Sequence, residues 1–67
     1  MKWVIVRRTR KSMGKVYLYN EKNLSPDGTF NDYANQDVVT FPTKEQAQFV
    51  ANGFELSENV EYIVKPL

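Results

Sequence analysis

The side chains best able to do chemistry here are cations beside aromatic rings. Arg7, Arg8, Arg10, Lys11 and Lys15 crowd one short stretch, close to Trp3, Tyr17 and Tyr19. Guanidinium and ammonium groups next to stacking platforms are the pairing that single-stranded nucleic acid binding uses. The competing reading is structural: a solvated hairpin tip tends to be charged, and arginines along a strand discourage edge pairing. The net charge of +1 favours the second, since a dedicated nucleic-acid domain is usually strongly basic. The distribution is nonetheless bipolar. Residues 1 to 20 hold six cations and no acid, whereas the remainder sets three lysines against eight acids.

Reaction chemistry finds little support. The chain has no histidine and no cysteine, so a nucleophile–base pair of the usual kind, a disulfide and a thiolate metal site are all excluded. Ser12, Ser25 and Ser57 fall in expected turns. Asp27, Asn31, Asp32 and Asp37 offer oxygen ligands to a hard cation, but without the spacing of an EF-hand loop, and they read as solvated turn acids. Asn23-Leu24-Ser25 matches a glycosylation acceptor, which has meaning only in a secreted chain. We expect no enzyme and no cofactor.

The elements that must position these residues follow from periodicity. Phe41 to Phe54 is the clearest: Thr43 is a good N-cap, with Gln46 three residues on to complete a capping box. Pro42 keeps the entering chain extended. Ala47, Val50, Ala51 and Phe54 form one apolar stripe at helical spacing, and Gly53 is expected to end the helix in the left-handed conformation. Phe49 projects from the opposite side among Glu45, Gln48 and Asn52, either as an ordinary exposed residue or as an anchor for a partner.

Strands are expected at Trp3 to Arg8, Lys15 to Tyr19, Asp37 to Phe41 and Val60 to Lys65, the last ended by Pro66. Thr9 to Gly14 reads as a loop with a basic tip, and Ser25-Pro26-Asp27-Gly28 as a turn from which strands extend through Leu24 and Phe30. The economical register puts Val4, Val6, Val16 and Leu18 under the helix and leaves Trp3, Ile5, Tyr17 and Tyr19 on an uncovered face. One domain of β-β-β-α-β order results, an α+β fold. Its mainly antiparallel four-stranded sheet has order 3-2-1-4 and carries one helix on one face, and a crossover makes strand four parallel to strand one.

A tryptophan in the first strand, a short aromatic second strand, then Phe41-x-Thr43-x-Glu45-x-Ala47, Gly53 and a final β-rich strand together resemble small phage-encoded proteins with a W…F-x-[ST]-x-E-x-A layout. The resemblance spans most of the chain. It implies a virus-encoded accessory protein, of a kind some of which act by binding and disabling a host protein, and it transfers no catalytic residue. The basic hairpin Arg7 to Lys15 departs from the layout.

The expected function is therefore a non-enzymatic module that binds and modulates a host protein through Trp3, Tyr17, Tyr19 and Phe49. The alternative is nucleic-acid binding through Arg7, Arg8, Arg10, Lys11 and Lys15. No early apolar run is long enough for a signal peptide or a membrane span, so the expected location is the cytoplasm, of the host cell if viral. Sixty-seven residues bury little surface, and a homodimer through the aromatic face is compatible with that shortage.

Overall fold

In a computed structural model, which describes residues 1–32 and 38–67, the longest element is β1 (Trp3–Met13), and every other strand is placed by reference to it. Its β-branched start, Val4-Ile5-Val6, is the most buried run of the protein. Strand β2 (Val16–Leu24) pairs antiparallel with it from Met13↔Val16 to Val6↔Asn23, and β3 (Phe30–Asn31) pairs with the end of β2. The helix α1 (Lys44–Ala51) precedes β4 (Val60–Pro66), which lies on the other side of β1. The sheet order is β3-β2-β1-β4, and the fold is α+β as expected.

Several placements differ from expectation. The hairpin is longer, because Thr9 to Met13 continue β1 instead of forming a loop. Only Gly14 and Lys15 make the turn, and Gly14 takes a φ of +69° while no non-glycine residue among those described has positive φ. That is the signature of a two-residue type II′ connection, whose twist suits the strands it joins. Met13↔Val16 is the pair it closes.

The third strand is Phe30–Asn31 and not the segment ending at Phe41. Asp37 lies outside the described residues. Phe41 instead makes an isolated antiparallel bridge to Trp3, and Val39 N donates to Leu24 O, so this segment continues the line of β2 beside β1. The helix then carries the chain across β1 to its far edge in the same direction. For that reason β4 is antiparallel to β1. The expected parallel pairing assumed the Phe41 segment lay two strands away, whereas it is an immediate neighbour.

The face of β1 under the helix is also the opposite of the expected one. Ile5, fully buried, joins Leu24, Ala47 and Ala51 in the core, with Trp3, Phe41, Phe54, Tyr62 and Val64 packed around them. Val4 and Val6, both buried, point to the other face. Two alanines on the helix let it approach the sheet closely, and the larger Ile5 fills the space that leaves. Val16 and Leu18 lie on the helix side, as expected, but beyond the helix, more than half exposed.

Capping explains where α1 begins and ends. Thr43, extended at φ −132°, accepts from Gln46 N at 3.2 Å. At the far end Gly53 does not adopt the left-handed conformation expected of it. The last turn tightens instead, with Gly53 N donating to Val50 O and Phe54 N to Ala51 O. A Cβ at Gly53 would stand 3.3 Å from Val50 O, so close approach is what glycine provides there. The turn at Ser25 is a three-residue hairpin loop: Gly28 N donates to Ser25 O, Ser25 N to Thr29 O, and Gly28 has φ +89°. Asp27 secures it by accepting from the backbone N and hydroxyl of Thr29, which hold its carboxyl below its ordinary pKa.

Candidate functional site, a hairpin arm

The sheet is longer than its cover. With a radius of gyration of 12.5 Å, against about 11 Å for a compact chain of this length, the molecule is elongated to 40 Å in one direction. An 11-residue strand rising about 3.4 Å per residue accounts for that dimension, so β1 and β2 form its long axis. Beyond Arg10 the two strands leave the helix and β4 behind, and every residue from Lys11 to Glu21 is exposed.

This arm is apolar on both sides. Alternation places Met13, Val16 and Leu18 on the helix-side face, at 49%, 60% and 55% exposure, and Tyr17 and Tyr19 on the opposite one, at 53% and 51%. A bare two-stranded ribbon with such surfaces is at best marginally stable in water.

On the tyrosine side, arginines from β1 alternate with the rings. The Arg8 guanidinium carbon stands 4.2 Å from the Tyr19 ring centre, and that of Arg10 stands 4.6 Å from Tyr17. The register sets Arg10 opposite Tyr19 and Arg8 opposite Glu21, so each arginine leans one step toward the tip to reach its ring. Arg8 also lies 3.4 Å from Glu61 and 3.9 Å from Glu21. Its Nε is buried without a hydrogen bond, as is that of Arg7. Arg10 Nη2 donates to Asn59 Oδ1 at 3.4 Å. A groove of about 380 Å³ between this ladder and the Leu56 to Glu61 segment is lined by both signs of charge, Arg8 and Arg10 against Glu58 and Glu61.

Below the ladder a charge pair crosses the sheet. Lys65 Nζ donates to Glu21 Oε1 at 2.8 Å, from β4 to β2. Lys65 stands level with Val4 and Glu21 with Arg8, so the bridge passes over Val6 between them. The lysine stem thereby covers an apolar residue while its ammonium stays hydrated. That hydrogen bond, with the fields of Lys65 and Arg8, outweighs desolvation and holds the Glu21 carboxyl below its ordinary pKa.

The expected site residues therefore divide. Tyr17 and Tyr19 sit together as expected, but Trp3 does not join them: it is half-buried on the helix face, exchanging backbone hydrogen bonds with Phe41, with Lys44 Nζ 5.9 Å from its ring. The odd-numbered parity of Trp3 and the inverted face of β1 require this. Phe49 is 81% exposed on the outer side of α1, beside a shallow apolar depression formed with Phe41 and Val50, far along the sheet from the arm.

The basic set is likewise divided. Arg8 and Arg10 share the tyrosine face, Arg7 lies on the helix side over the Phe30 ring at 4.8 Å, Lys11 faces that same side, and Lys15 is in the turn. What the sequence reading missed is the cluster that Arg7 caps. Phe30, Phe54 and Tyr62 meet with ring centres 4.8 to 5.8 Å apart, Phe54 and Tyr62 stacked and Phe30 edge-on to Phe54. Its members come from three distant segments, and of the three only Phe54 is expected from the sequence to face inward, as part of the helix's apolar stripe.

Among the described residues no cluster of three acidic side chains gathers to hold a metal ion, and no helix is long and apolar enough to cross a membrane. No family model, curated protein or solved structure is significantly similar to this chain.

Proposed function

We propose that this protein is a non-catalytic binding module whose partner is a protein, engaged through the two faces of the β1–β2 arm. The observation that carries the reading is the arm itself: five large apolar side chains, half-exposed, on strands that nothing among the described residues covers. A monomeric protein seldom leaves both faces of a ribbon this apolar without using them. Tyrosines interleaved with arginines are also the residue types that dominate interface hot spots.

Nucleic-acid binding is the weaker reading because the five cations do not form one surface. Arg8, the best placed, already faces two carboxylates, and a phosphate chain along the tyrosine face would meet Glu21, Glu58 and Glu61. The resemblance to phage accessory proteins supports a host protein as the partner and modulation by occupancy as the mode of action. Phe49 and its depression offer a second contact, on a different side.

The test is capture from host lysate on the immobilised chain, with and without nuclease, comparing wild type with Tyr17→Ala/Tyr19→Ala. A captured protein that resists nuclease and disappears with the double variant supports the reading. Retention abolished by nuclease, together with oligonucleotide binding that weakens steeply with salt, would replace it with the nucleic-acid reading.

A further inference from the structure

Backbone groups at the outer edge of β2 are accounted for by register. In a hairpin with a two-residue turn the flanking pair, here Met13 and Val16, is hydrogen-bonded. Successive residues alternate, so Val16, Leu18, Asn20 and Lys22 turn their N–H and C=O toward β1, while Tyr17, Tyr19 and Glu21 turn theirs away. Independent bonds agree with this parity. Arg10, opposite Tyr19, donates its N–H to Asn59 on the β4 side, and Asn23, the next outward residue of β2, is the one that pairs with β3. Beyond Asn23 the outward groups of Tyr17, Tyr19 and Glu21 have no strand beside them among the described residues.

Among the described residues, the outer edge of β4 and that of β2 beyond β3 are unlike. On β4, Glu61, Lys65 and Pro66 are the features that discourage pairing, a charge at either end and a residue without an N–H. On β2, Val16-Tyr17-Leu18-Tyr19 carries none of them.

We infer that the edge of β2 pairs antiparallel with the β2 edge of a second copy of this chain, about a two-fold axis at Leu18. This rests on the arm being a protein-binding surface and names one of its occupants. Only registers that place outward residues opposite one another can form the ladder, and among these the Leu18-centred one is complementary throughout. Tyr17 faces Tyr19 of the second copy and exchanges both main-chain hydrogen bonds with it. Leu18 meets Leu18 on the helix side. Lys15, at the turn, stands opposite Glu21, opposite charges at both ends of the shared ladder. Moving the axis to Tyr19 sets Tyr17 against Glu21 and Leu18 against Asn20. Moving it to Tyr17 sets Lys15 against Tyr19 and leaves Glu21 without a cation. The pairing is edge to edge, so it joins two tyrosine–arginine ladders into one wider face and leaves that face open.

Because the chain has no cysteine, single cysteines report the register cleanly. Directly opposite residues in a non-hydrogen-bonded pair have Cα atoms about 4.5 Å apart, within disulfide reach. The expected result is a wild type that sediments as a dimer at high micromolar concentration. Leu18→Cys then oxidises to a covalent dimer, while Val16→Cys and Asn20→Cys cross-link with each other but not with themselves. Tyr19→Pro, whose only backbone loss is an outward N–H, should keep the far-ultraviolet spectrum and sediment as a monomer, whereas Tyr19→Ala, which removes the ring and keeps that N–H, should still dimerise. A wild type that stays monomeric at that concentration, or cross-linking without preference among the three cysteines, overturns the inference. A monomer that still captures a protein through Tyr17 and Tyr19 would reject the dimer and leave the binding module standing, whereas loss of both would reject both.

Discussion

Replacing Ile5 with alanine tests the packing on which every placement above depends. Ile5 is the largest fully buried side chain, set between Leu24 and the helix alanines Ala47 and Ala51. Isoleucine-to-alanine changes in cores cost about 2–5 kcal/mol, with the larger values where the surroundings cannot collapse into the void. Two alanines have no side chain to move into it, so a loss of about 4 kcal/mol is expected. A chain of 67 residues has a total stability on the order of 3–10 kcal/mol. With a urea dependence of about 1 kcal/mol per molar, typical of small domains, the midpoint should fall by about 4 M, or the variant should be unfolded without denaturant. Ile5→Val, expected to cost about 0.5–1.5 kcal/mol, keeps the measurement in range. Val50→Ala is the control, since Val50 is 38% exposed on the same helix. Urea unfolding followed by tryptophan fluorescence at fixed protein concentration reads all three. If Ile5→Ala costs less than about 1 kcal/mol, as a surface substitution does, or no more than Val50→Ala, then Ile5 does not face the helix and the core is misassigned.

Gly14→Ala should destabilise by about 1 kcal/mol through backbone conformation alone, because φ is +69° while an added Cβ meets nothing within 4 Å; thermal unfolding measures it, and an unchanged midpoint would mean that the turn is not type II′. Thr43→Ala should cost about 1 kcal/mol by removing the cap to Gln46 N, with Thr43→Ser restoring most of it. Glu21 and Asp27 both have folded-state pKa values below their ordinary ones, so their contribution is fully present above the ordinary carboxylate range, near pH 4, and is lost as pH falls through the depressed values. A urea midpoint followed from neutral pH downward should decline there, and the decline should be shallower in Glu21→Gln and Asp27→Asn; an identical profile in both variants would show that other carboxylates set it.

What could be read from the sequence was what local signals decide. Thr43 and the Ala47/Ala51 stripe locate the helix, and the β-rich run closed by Pro66 locates β4. The strand order is the expected one, although β3 is a different segment and β4 runs antiparallel to β1, whose start is apolar on both faces. That same double apolarity hid which face of β1 meets the helix. Val4 and Val6 are as hydrophobic as Trp3 and Ile5, and the deciding contacts come from Phe41, Phe54 and Tyr62, remote in sequence. The hairpin is longer than the sequence suggests because the polar run Thr9 to Lys11 reads as loop and yet continues β1. The better signal was Gly14, which with Lys15 leaves a two-residue connection between Met13 and Val16.

Folding also rearranges the charge asymmetry of the sequence. The basic first third and the acidic remainder are brought into register across β1, where Arg8 meets Glu21 and Glu61 and Arg10 meets Asn59. Lys65 adds a second cation to Glu21. Lys11 and Lys15, in contrast, are carried out on the exposed arm with no carboxylate among their contacts in the described residues. Part of the positive charge left without a carboxylate thus lies where the apolar surface is also exposed. In the binding module proposed above, such an arrangement would divide two tasks: lysines at the tip would accelerate encounter with an acidic surface and be screened by salt, while the tyrosines and Leu18 would supply contact that salt does not weaken. Lys11→Gln/Lys15→Gln should accordingly slow association with the partner and flatten its dependence on ionic strength, with dissociation little changed, and Tyr17→Ala should do the reverse. Both variants changing dissociation alone, in surface-binding kinetics at two salt concentrations, would refute that division.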